Sequence, residues 1–141
     1  MNRFVRPDTA IVTLANGDTL IVKVRLNTGE TRALRAAILN GDPTQTQADR
    51  AAYAVVLAYL LDWTISDNGR PVVIRDLPAD GLRAVLDSLD YESFTEIAVA
   101  IHDHVQRQKE LRDEEKKTAN SATPSSPISP SPSVAVGATN G

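Results

Sequence analysis

From Thr9 to Arg25 the chain reads TAIVTLANGDTLIVKVR, two β-branched apolar runs on either side of Asn16-Gly17. An Asn-Gly pair in that setting is a strong hairpin signal. A two-residue loop there pairs Thr13 with Leu20, Ile11 with Val22 and Thr9 with Val24 on one face. The opposite face then pairs Leu14 with Thr19, Val12 with Ile21 and Ala10 with Lys23. Both faces are partly apolar, whereas a solvated face would alternate with polar side chains. Two strands alone are marginal, so the hairpin needs helices on one face and a further cover on the other, or at an edge.

Beyond Arg25 the apolar period lengthens to that of a helix. Thr28 is the expected N-cap of a helix from about Gly29 to Leu39, with Leu34, Ala37 and Ile38 as its stripe and Asn40-Gly41 closing it. A longer, central helix is predicted from about Gln47 to Thr64, where Ala52, Val55, Val56, Tyr59, Leu60 and Trp63 recur at i, i+3, i+4 spacing. Trp63, on that stripe, is expected in the core. Asp67-Asn68-Gly69 reads as a turn because Asn and Gly tolerate positive φ, and Val72–Ile74 as a short strand after Pro71. Leu82, Val85, Leu86 and Leu89 mark a third helix. Asp90 caps a fourth, with Phe94, Ile97, Ala98, Ile101 and Val105 on one face. From Gln106 to Lys117 helix propensity persists without an apolar face, so that stretch is expected to project into solvent.

All 33 charged residues fall within positions 1–117, and the last 24 residues carry none, holding 6 Ser, 4 Pro, 4 Ala and 3 Thr. Such a segment buries too little apolar surface to offset the entropy of ordering it. The expected fold class is therefore α+β, mainly α. An N-terminal β-hairpin packs on a four-helix domain, residues 1–117, and a disordered Ser/Pro/Ala-rich tail follows, residues 118–141. PSSPISP lacks the flanking basic residues of a PxxP ligand and reads as linker.

Composition narrows the function. A net charge of −3 disfavours nucleic acid, which needs clustered Lys and Arg. With no cysteine, disulfides and thiolate metal sites are out, and a reducing cytosol fits. The longest apolar run, Ala51 to Leu61, has 11 residues, well short of the roughly 20 a bilayer helix needs. MNRFVRPDTA has no hydrophobic signal core. A soluble intracellular protein is expected, with no nucleic-acid partner and no membrane.

Candidate chemistry is sparse. His102 and His104 sit two apart on a helix, on different faces, and read as surface histidines rather than a metal site. Asp62 to Asp67 lacks the alternating oxygen ligands of a calcium loop. Asp87, Asp90 and Glu92 lie at a helix–helix junction, where capping accounts for them. No catalytic, cofactor-binding or metal-ligating residue is assigned, and the chain is not expected to be an enzyme. The candidate site is a protein-binding one, on Val12, Leu14 and Ile21, the hairpin face turned away from Ile11, Leu20 and Val22.

The order of elements adds a further expectation. The strand-to-helix junction GDTLIVKVRLNTGE, the segment DWTISDNGRPVVI and the helical pair through LDSLDYESFTEIAVAI, followed by a polar tail, resemble the tail assembly chaperones of long-tailed (siphovirus-type) bacteriophages. The likeness covers residues 3–117. It implies a chaperone that binds the tape measure protein and helps recruit tail tube subunits, in the cytoplasm of the infected host and absent from the mature virion. Self-association would fit the same role. In that family a frameshift often extends a minority of copies, and Lys116-Lys117 marks where to look for one. The competing reading is a minor tail or tail-completion protein retained in the virion.

Overall fold

The structure is a computed structural model and describes residues 3–122, with side chains through residue 118. The architecture is α+β and mainly α. Strands β1 (Thr9–Thr13) and β2 (Thr19–Lys23) open the chain, and helices α1 (Thr28–Leu39) and α2 (Gln47–Tyr59) follow. Strand β3 (Leu60–Trp63) precedes a small hairpin of β4 (Ser66–Asp67) and β5 (Arg70–Pro71), then α3 (Ala79–Asp87) and α4 (Tyr91–Ala122). The chain divides into two compact units, through Gln106 and from Arg107 onward. The described part of the second unit, residues 107–122, is helical.

The helix extends past the expected boundary at Lys117, so residues 118–122 belong to α4 rather than to the tail. The rest of the predicted tail, residues 123–141, lies outside the described residues.

The hairpin forms, one residue out of the predicted register. Thr13 pairs with Thr19, Val12 with Leu20, Ile11 with Ile21 and Ala10 with Val22. The cause is the turn. A two-residue type I′ loop needs positive φ at both central residues. Here Gly17 has φ 97° while Asn16 stays out of the left-handed region. Gly17 N–H donates to the Leu14 carbonyl (3.0 Å) and Leu14 N–H to the Asp18 carbonyl (2.7 Å), which makes a three-residue loop ending on a left-handed glycine. Asn16 is occupied otherwise: its side-chain Oδ1 accepts from Asp18 N–H at 3.0 Å. A one-residue slip exchanges the faces. Leu14, Leu20 and Val22 are buried, Val12 packs against them, and Ile11 is 71% exposed.

The second difference is β3. The helix predicted to Thr64 ends at Tyr59, and Leu60 turns straight into an extended conformation, φ −72° and ψ 126°. Residues 60–63 then cover the open edge of β2, giving a sheet of order β1-β2-β3. Leu60 lies opposite Val22 and Trp63 opposite Leu20, both pairs on the buried face. Three residues apart, Leu60 and Trp63 would face opposite sides of a regular strand. The register shift between Ile21 and Val22 inserts the extra residue that turns both inward.

Asn68 (φ 50°) and Gly69 (φ 81°) form the left-handed pair that the sequence assigns to this turn, here closing β4 on β5. Val72–Ile74 is not a strand. Val72 instead accepts the Trp63 indole N–H at 2.7 Å and donates its own N–H to Ile65, while Ile74 is buried.

Helix α1 is capped by Asn27, one residue before the expected Thr28, in a reciprocal box with Glu30. The Asn27 N–H bond to the Glu30 carboxylate, then the Lys23 ammonium beside it, hold that carboxyl below its ordinary value of 4.5. A lowered folded-state value means that the unfolded chain binds more protons. The stabilisation is thus complete above the ordinary value and is lost as pH falls through the lowered one. Denaturation midpoints should fall less between about pH 5 and pH 3 for Glu30→Gln than for the parent chain. Equal losses would count against the box as a contributor.

Below the sheet, α2, α3 and α4 complete one core, from Val56 and Tyr59 through Leu82 and Leu86 to Ile97 and Ile101. Asp90 caps α4 as expected, accepting from Ser93 N–H (3.1 Å) and Ser93 Oγ (2.6 Å).

Candidate functional site

The three residues assigned to a docking face do not share one. Val12 and Leu14 belong to the core side of the sheet, which corrects the expectation that they are available to a partner. Ile21 alone is on the outer side, half-buried opposite Ile11. Most of the rest of that outer side is polar, with Thr9, Thr13, Thr19 and Lys23 in the register rows beside them and the half-buried Leu61 near Thr9 and Lys23. Asp62, also on that side, is held by the Arg75 guanidinium at 3.1 and 3.2 Å.

A different surface offers more apolar area. Between α2 and the first three turns of α4 lies an open groove of about 470 Å³. One wall is Ala48, Ala51, Ala52 and Val55, at i, i+3, i+4, i+7 along α2. The other is Tyr91, Phe94, Thr95, Ala98, Val99 and His102, with the same spacing along α4. Val99 is 52% exposed and Tyr91 69%. The alanines on α2 remove the side-chain bulk that would otherwise fill the space between two packed helices. The Tyr91 hydroxyl donates to Asp49 at 3.1 Å and ties the walls together at one end. In the sequence, Ala52, Val55, Phe94 and Ala98 belong to the core stripes, and the groove adds Ala48, Ala51, Tyr91 and Val99 beside them. Periodicity alone does not separate a stripe that is covered by the fold from one whose margin stays open.

Other polar groups near the helices have structural partners. Tyr53 on α2 places its hydroxyl 2.9 Å from the Asp87 carboxylate, with the Arg83 guanidinium 5.4 Å from its ring centroid. Burial, then the Asp87 carboxylate, push the Tyr53 phenol up to about 12, so it stays protonated as a donor. Arg50 donates to the carbonyls of Ile38, Asp42 and Gln45, satisfying acceptors at the end of α1 and in the loop after it.

His104 corrects the reading of both histidines as surface groups. His102 is exposed, but His104 is 4% exposed, edge-on to Tyr59 at 6.4 Å between ring centroids. Its Nε2 sits 2.9 Å from the Lys23 carbonyl. A carbonyl only accepts, so Nε2 carries the proton, and the ring pins α4 to the end of β2. Among the described residues no group of three His, Cys, Asp or Glu could hold a metal ion, and no helix is long and apolar enough to cross a membrane.

The groove is lined mainly by Ala, Val and aromatic side chains, with Asp49, Thr95 and His102 as its polar members. It can accept apolar side chains presented at helical spacing. Compared with family models, with curated proteins and with solved structures, the chain matches none of them.

Proposed function

We propose that the chain is a tail assembly chaperone of long-tailed bacteriophages, holding a helical stretch of the tape measure protein and helping to recruit tail tube subunits in the host cytoplasm. The observation that carries the reading is the open apolar groove between α2 and α4, lined at helical spacing on both walls. A long helical client exposes repeated apolar stripes until its assembly partner covers them, and such a groove accepts one. The resemblance of residues 3–117 to that family supports the same reading. Its two motifs fall on the β2-to-α1 junction with its capping box and on the turn from β3 through the β4–β5 hairpin.

Co-expression with the tape measure protein of the same genome tests the proposal. The pair should co-purify, and Val99→Glu should reduce recovery of the client while the thermal transition stays within a few degrees. Val99 is half exposed, so the substitution buries no charge in the core. The reading fails if the tape measure protein is never retained. Mass spectrometry of purified virions separates the alternative: a chaperone is absent from finished particles, and a minor tail or tail-completion protein is present.

A further inference from the structure

We infer that the groove selects amphipathic helices whose apolar stripe is flanked by Lys or Arg. This rests on the groove being a client site. It adds which clients are accepted and which are rejected. The argument is charge placement. On α4, Glu92, Val99 and Asp103 form one row at i, i+7 and i+11, along the solvent side of the groove wall. Glu92 and Asp103 are both exposed. Glu96 shares that row, but its carboxylate accepts the Ala15 N–H at 3.2 Å and is turned to the hairpin loop. Asp49 adds a carboxylate on the opposite wall. No Lys or Arg lines the groove, and the nearest arginine on α2, Arg50, is committed to carbonyls on the far side of that helix.

The lined stretch from Tyr91 to His102 spans about 16 Å, or three turns of a docked helix. A partner stripe seated on the alanine wall brings its flanking positions beside Glu92 and Asp103. Cations there gain from both carboxylates, and anions are repelled. Apolar contact provides affinity, and the acidic row sets which helix is accepted.

The test uses two synthetic helices with an identical leucine stripe, one flanked by Lys and one by Glu. Amide spectra of the full chain are recorded during titration with each. The Lys peptide should shift Ala51, Ala52, Val55, Thr95 and Val99, and bind about tenfold more tightly than the Glu peptide, a margin that shrinks as salt screens the row. In the double variant Glu92→Lys, Asp103→Lys the order should invert. Both sites are exposed, and an unchanged spectrum elsewhere confirms the fold. Equal binding of the two peptides, or shifts on the outer sheet face instead, overturns the inference. So do groove shifts that grow with protein concentration without peptide, because a second copy is then the occupant. Capture of the tape measure protein without any peptide preference would sink this inference alone. Peptide preference without such capture would sink the chaperone reading alone.

Discussion

Trp63→Ala is expected to lower the unfolding free energy by about 3–5 kcal/mol, enough to leave little folded protein in a domain of ordinary stability. Trp63 is 7% exposed and lies opposite Leu20 in the β2–β3 ladder. Its ring contributes to the one core that joins sheet and helices. Two losses combine in the alanine variant. The cavity cannot close readily, because Leu20 and Leu60 are fixed in the β2–β3 ladder. The Val72 carbonyl also loses its indole donor. Trp63→Phe removes the donor but keeps most of the buried volume, so its cost is mainly the lost hydrogen bond plus a small cavity. Urea denaturation should place it between the parent and the alanine variant, and an alanine cost below about 1 kcal/mol would remove Trp63 from the core.

The same residue shows why part of the fold was legible and part was not. Leu82 and Leu86, or Ile97 and Ile101, repeat at helical spacing because they are on helices, and those elements were read correctly. Leu60 and Trp63 are also three residues apart with both side chains inward, but for another reason. A bulged register turns two strand residues three apart to the same side, and a helix does so as well. Periodicity cannot tell these apart. What decides is the open edge of β2, a tertiary fact that no local window contains. The two Asn-Gly pairs make a similar point. At Asn68-Gly69 both residues are left-handed, as the sequence suggests, and at Asn16-Gly17 only the glycine is. The docking face was assigned from that turn, so one wrong dihedral moved Val12 and Leu14 from an imagined surface into the core.

Charged substitutions on β1 and its turn measure that register directly. Leu14→Glu should cost about 3 kcal/mol or more, because Leu14 is 7% exposed within the hydrophobic core and no Lys or Arg is buried among the described residues. Ile11→Glu, three positions earlier and 71% exposed, should change stability by no more than about 0.5 kcal/mol. The two-residue loop would require the reverse order, since it places Ile11 with Leu20 and Val22 against the helices and Leu14 outside. Equilibrium denaturation of the two variants therefore reads the turn type without a spectrum of the turn itself. A large loss for Ile11→Glu together with a small one for Leu14→Glu would restore the register of the two-residue loop. It would also return Val12 and Leu14 to the list of surfaces open to a partner. With the order as expected, the groove between α2 and α4 is the described surface that combines apolar lining with helical spacing on both walls. Binding experiments then belong on Val99, Glu92 and Asp103, where substitutions leave the core untouched.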